Sequence, residues 1–157
     1  MARLLAGFSR THDLENGFIT LMEPLNLSSP EQTLVSFFQA MNEWERDCWS
    51  RLRGDGDYQA RLTENIDEMN AIFRSFCTPK PRPLGRAGTF QHPPEYDPKI
   101  EEIVKTESKG HKAVIHTHQS SGLEQQARYV LVLRDGKWLI DSKQIILADG
   151  SVLKSAL

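Results

Sequence analysis

Cysteine is nearly absent: Cys48 and Cys77 are the only two in 157 residues. Neither has a second thiol close by, so the paired spacing of a zinc site is missing and no metal is expected. Two such thiols read as small buried hydrophobes in a reducing compartment, with a bridge between helices left open. Long apolar runs are lacking too. None approaches the ~20 residues of a membrane-spanning helix. Leu4-Leu5-Ala6-Gly7-Phe8 is too short for the core of a signal peptide, so a cytoplasmic protein with no membrane partner is expected. Charge of one sign is also missing. The chain carries 19 basic and 21 acidic residues, which argues against a general nucleic-acid binder, and its ordinary apolar content argues against global disorder. Phosphate-binding glycine loops, dinucleotide fingerprints, nucleophile elbows and zinc-protease helices are absent, and no cofactor is expected. The length suits one domain with a sizeable core. We place that domain at residues 28–157, behind an N-terminal extension, 1–27, with no clean pattern and no assigned role.

What is present begins with a hairpin. Asp135-Gly136 separates two apolar, β-branched or aromatic runs within Gln126–Leu147, the strongest short-range turn signal a sequence offers. A two-residue turn predicts Leu133 opposite Trp138, Leu131 opposite Ile140 and Tyr129 opposite Ser142 on one face. It sets Val132 against Leu139 and Val130 against Asp141 on the other. Both faces are largely apolar, so the hairpin belongs inside a sheet, away from its edge. Ile100–Glu107 and His111–Gln119 flank the glycine-bearing loop Ser108-Lys109-Gly110 as another strand pair, and an edge strand is expected near Ser151–Leu153.

Two helices precede the strands. Ser29 caps, Pro30 suits the first helical position, and Gln32 falls where a capping box wants Glu or Gln. Leu34, Phe37, Phe38, Met41, Cys48, Trp49 and Leu52 then form one stripe, with Trp44 at its edge. Gly54-Asp55-Gly56-Asp57 ends this helix, and Asp57 caps the next. Tyr58, Leu62, Ile66, Met69, Ile72, Phe73 and Phe76 make a second stripe, and so short a turn packs the two as a hairpin. The proline-rich stretch Thr78–Pro98 reads as a stiff crossover to the sheet. Helices first and strands after point to an α+β fold, with helices against one face of an antiparallel sheet.

Three places along the chain are candidates for chemistry. Glu45 falls in the middle of the first apolar stripe, where it is either held by structural partners or presented to a pocket. His116-Thr117-His118 sets two imidazoles on one strand face, a metal-site spacing that lacks a third ligand. Asp141 is either a general base in a pocket or the place where its face meets water. Charge is unevenly spread. From Glu31 to Asn70 the acids outnumber Arg46, Arg51, Arg53 and Arg61, and after Asn70 the bases lead. Such asymmetry steers partners of opposite sign.

The order of two helices, proline-rich crossover and antiparallel sheet resembles the nuclear transport factor 2 fold. More specifically, the chain resembles the immunity proteins of that fold that accompany bacterial polymorphic toxins of the Rhs type. The resemblance rests on Ser29-Pro30-Glu31, Cys77-Thr78-Pro79-Lys80, Gly85-Arg86, Pro94-Glu95-Tyr96-Asp97-Pro98, Tyr129-Val130-Leu131 and Gly136-Lys137-Trp138-Leu139-Ile140-Asp141. It implies two helices closing over a curved sheet as a cone, and a non-enzymatic role: binding a cognate toxin domain and blocking it. The acidic helical surface of Glu43, Asp47, Asp55, Asp57, Glu64 and Glu68 would then meet a basic toxin. The same fold also resembles ketosteroid isomerase and polyketide cyclase relatives. On that reading Glu45, His116 and Asp141 would serve a substrate inside the cone. A homodimer built through the sheet face is left open.

Overall fold

The computed structural model describes residues 29–82, 90–155 and 157. The N-terminal extension and the Gly85-Arg86 motif lie outside them. Two helices, α1 (Pro30–Leu52) and α2 (Tyr58–Phe76), precede five strands: β1 (Glu101–Lys109), β2 (Lys112–Gln119), β3 (Gln126–Arg134), β4 (Lys137–Ile146) and β5 (Val152–Ser155). The strands form one antiparallel sheet in the order β1-β2-β3-β4-β5, and the fold is α+β as the pattern predicts.

The helix starts follow their sequence signals. The Ser29 hydroxyl accepts from the Gln32 N–H at 3.1 Å, with Pro30 opening the helix. The Asp57 carboxylate accepts from the Gln59 N–H at 2.9 Å. Each removes a donor that a helix end otherwise leaves unsatisfied. Leu34, Phe37, Phe38, Met41 and Cys48 are buried as the first stripe requires. Trp44, expected at the edge, is buried as well, because α2 covers it and the Asn65 carbonyl accepts its indole N–H at 3.0 Å. Leu52 and Tyr58, expected in the stripes, flank the helical corner and stay exposed at 38% and 58%. Both cysteines are free thiols, and burial pushes each up to about 12.

Asp135 and Gly136 adopt φ of 50° and 73°, the pair of positive angles that a two-residue hairpin turn needs. Leu133 then faces Trp138, Val132 faces Leu139, and Leu131 faces Ile140. Beyond that point the predicted register fails. Val130 pairs with Ser142, and Tyr129 with Lys143, because Asp141 is an extra residue in β4, a β-bulge. The bulge frees backbone groups, and the chain leaving α2 takes them up. Thr78 N–H donates to the Ile140 carbonyl at 2.9 Å, and the Arg82 guanidinium donates to the Asp141 carbonyl at 3.1 Å. One added residue reverses the inward–outward alternation of everything after it. Lys143 therefore points inward and is buried. A smaller difference lies at the other hairpin, where Lys109 pairs with Lys112 and the turn is Gly110-His111.

Tyr129, Ile115 and Ala113 lie on the sheet face that the helices cover, and Phe38 meets Tyr129 edge to face at 5.5 Å. Tyr96, from the crossover, fills the space between the layers. Its ring stacks on Phe38 at 5.7 Å and meets Phe37 edge-on at 5.3 Å. Each fully buried ring of this size contributes ~1.5–3 kcal/mol.

Candidate functional site

Among the described residues, the space between α1 and the sheet around Glu45 is packed with side chains, Phe37, Phe38, Tyr96 and Tyr129 among them. Glu45 is fully buried on α1. An isolated carboxylate there would be prohibitively costly, and the crossover supplies donors: Glu95 N–H at 2.7 Å and Gln91 N–H at 3.3 Å. One turn earlier on the helix, the Asn42 amide donates to the Tyr96 carbonyl at 2.7 Å. From the opposite side, the Lys143 ammonium reaches Glu95 at 2.8 Å and sits over the Tyr96 ring at 4.6 Å. Helix α1, the Pro-Glu-Tyr-Asp-Pro segment and β4 are thus fastened to one another through largely buried polar groups. Lys143 is the residue sequence reasoning missed. A strand lysine ordinarily reads as solvated, and only the bulge turns this one in.

The other two candidates for chemistry lie elsewhere. Asp141 accepts from the Thr78 hydroxyl at 2.9 Å and pairs with Lys80 at 2.9 Å. Burial alone would raise its carboxyl. The hydrogen bonds from Lys80 and Thr78, with the charges of Lys80 and Arg82, outweigh that and hold it below the usual range. His116 alternates with the buried Ile115 and Thr117, so it occupies the sheet face turned away from the helices, 3.6 Å from Glu107. Glu45, His116 and Asp141 therefore have three separate surroundings and do not converge on one reacting centre. No group of three potential metal ligands occurs among the described residues.

The acidic residues fare differently. Glu43, Asp47, Asp55, Asp57 and Glu64 are exposed, and Glu68 is half-exposed. The bases interspersed with them are mostly engaged. Arg51 pairs with Glu68 at 2.8 Å, Arg61 donates to the Arg51 and Gly54 carbonyls, and Arg53 lies over the Trp49 ring at 5.0 Å. Only Arg46 of the four has no such contact among the described residues. The fold spends its arginines on closing the helical corner and leaves carboxylates facing outward.

The sequence profile of the family described as "NTF2 fold immunity protein" matches residues 29–156, and the chain belongs to that family. It is 33% identical over 122 residues to Immunity protein RhsIA of Dickeya dadantii (strain 3937), a match spanning 75% of this chain and 87% of that relative. No solved structure matches at comparable significance. The geometry gives the motifs that carry the resemblance a physical meaning. Cys77-Thr78-Pro79-Lys80 secures the β4 bulge, and Pro-Glu-Tyr-Asp-Pro seals the interior, so both act as fasteners of the scaffold. No helix among the described residues is long and apolar enough to cross a membrane.

Proposed function

We propose that this protein acts in the cytoplasm by binding the Rhs-type toxin domain encoded beside it and masking the toxin's working surface, with no catalysis of its own. The packing between α1 and the sheet supports this reading. Tyr96, Tyr129, Phe37 and Phe38 fill the space beside Glu45, whose carboxylate accepts from the Gln91 and Glu95 backbone donors. The job then falls to the outside, where the acidic helical surface offers Glu43, Asp47, Asp55, Asp57, Glu64 and Glu68 to a basic partner. Charge of this kind speeds encounter more than it deepens affinity.

Co-expression with the toxin domain, scored by growth and co-purification, tests the binding role. The E43K/D47K/E64K variant should slow association about tenfold at low salt and converge on wild type at high salt. Unchanged association would move the contact off this surface. Failure of wild-type protein to bind or protect would overturn the function itself.

A further inference from the structure

The C-terminal half of α2 and the β3–β4 turn stand apart and leave a cleft of about 970 Å³. Its floor is apolar, formed by Met69, Phe73 and Leu139. Its rim is basic. Lys80 and Arg82 line one wall but are engaged, Lys80 with Asp141 and Arg82 with the Asp141 and Thr78 carbonyls. Arg74, Arg134 and Lys137 are exposed on the remaining rim and pair with nothing among the described residues, with Asp135 the one acid beside them.

We propose that this cleft is a second toxin contact, seating an acidic segment of the toxin that inserts an apolar side chain between its carboxylates. The inference rests on the toxin-binding reading and goes beyond it, because it gives the protein two contacts of opposite sign. Two features select such an occupant. Three uncompensated cations call for carboxylates, which guanidinium groups bind with paired donors. The apolar floor calls for something to cover it, which an inorganic anion cannot do, and a cleft of this size takes several side chains of a peptide segment. Phe73 and Met69 with arginines around them also match the residue types enriched in protein interfaces. An acidic patch on the helical corner and a basic cleft near the hairpin turn would fix the toxin's orientation, since a rotated complex sets like charges together.

The test is titration calorimetry of the toxin domain encoded beside this protein into wild type, R134E/K137E, R74E and, as reference, E43K/D47K/E64K. The cleft substitutions fall on exposed side chains, and urea midpoints matching wild type would verify that they fold. Each cleft variant should weaken binding by about tenfold or more. Amide exchange across residues 69–80 and 133–139 should slow when the wild-type complex forms. Wild-type affinity in both cleft variants, or exchange there that the toxin leaves unaltered, overturns the inference while leaving the binding role intact. If wild type does not bind the toxin, the functional reading fails and this inference with it. Loss of self-association in the cleft variants with toxin affinity intact would assign the cleft to a second copy of the chain, and would likewise overturn it.

Discussion

Removing Glu95 should harm this protein more than removing the lysine it pairs with. Lys143 is only 3% exposed at its side chain and Glu95 is 22% exposed, with 2.8 Å between them. Replacing Glu95 by Ala strands an ammonium in the interior, and orphaning one member of a buried pair costs ~3–5 kcal/mol. The Tyr96 hydroxyl, which accepts from the ammonium at 3.4 Å, and the Tyr96 and Tyr129 rings, 4.6 and 5.9 Å away, remain to receive it. Attraction of a cation to such faces recovers ~0.5–2 kcal/mol, so we expect about 3 kcal/mol for E95A. Replacing Lys143 by Met keeps the stem over both rings and leaves behind a carboxylate that reaches water, at a cost of about 1 kcal/mol. The E95A/K143M double variant should recover most of the single E95A loss, because the stranded charge is gone. For a domain of this size E95A should lower the melting temperature by roughly 10 °C. Urea melts followed by tryptophan fluorescence suit the measurement, since Trp44 and Trp138 are buried. The reasoning is refuted if K143M costs as much as E95A, or if the double variant equals the sum of the singles.

Two further outcomes are expected. Asp141 titrates below the ordinary carboxylate range in the folded state, so its stabilisation is complete above the unfolded value of ~3.9 and is lost as pH falls through the lower folded value. D141N should therefore be less stable than wild type near neutral pH, and the gap should close at the acid end of a series of urea midpoints; a gap constant down to about pH 2 would contradict this. E45A strips the acceptor from the Gln91 and Glu95 amides. It should cost roughly 3 kcal/mol, at ~1–3 kcal/mol for each unsatisfied donor, and accelerate hydrogen exchange at those two amides. Wild-type stability in E45A would mean that the carboxylate does not hold the crossover in place.

What could be read from the residues was what neighbours decide. The Asp135-Gly136 turn, the Ser29 and Asp57 caps and the α1 stripe depend on a few adjacent positions, and each appears where its local chemistry puts it. The pairings of Tyr129 and Val130 did not follow, because the bulge at Asp141 is stabilised by Thr78 and Arg82, some sixty residues earlier in the chain. Trp44 looked peripheral by helical angle alone and became interior once α2 lay beside it. Lys143 gave no warning in its own strand; the matching sign was Glu95 within the Pro-Glu-Tyr-Asp-Pro segment, which pattern alone could not place opposite it. The acids of the helical corner were visible as a run. The cleft was not, since α2 and a distant turn supply its cations, and the sequence displayed only a basic bias after Asn70.

The spare residue at position 141 has a consequence for how such a scaffold can diversify. Ile140 and Ser142 already answer consecutive partners on β3, so a chain shortened by that one residue could keep every remaining cross-strand pair and the same interior. What it would forfeit are the contacts that Thr78, Lys80 and Arg82 make to Asp141, and with them much of the support for one wall of the groove. Length variation at this single point would redraw the proposed contact surface while the hydrophobic centre stayed as it was.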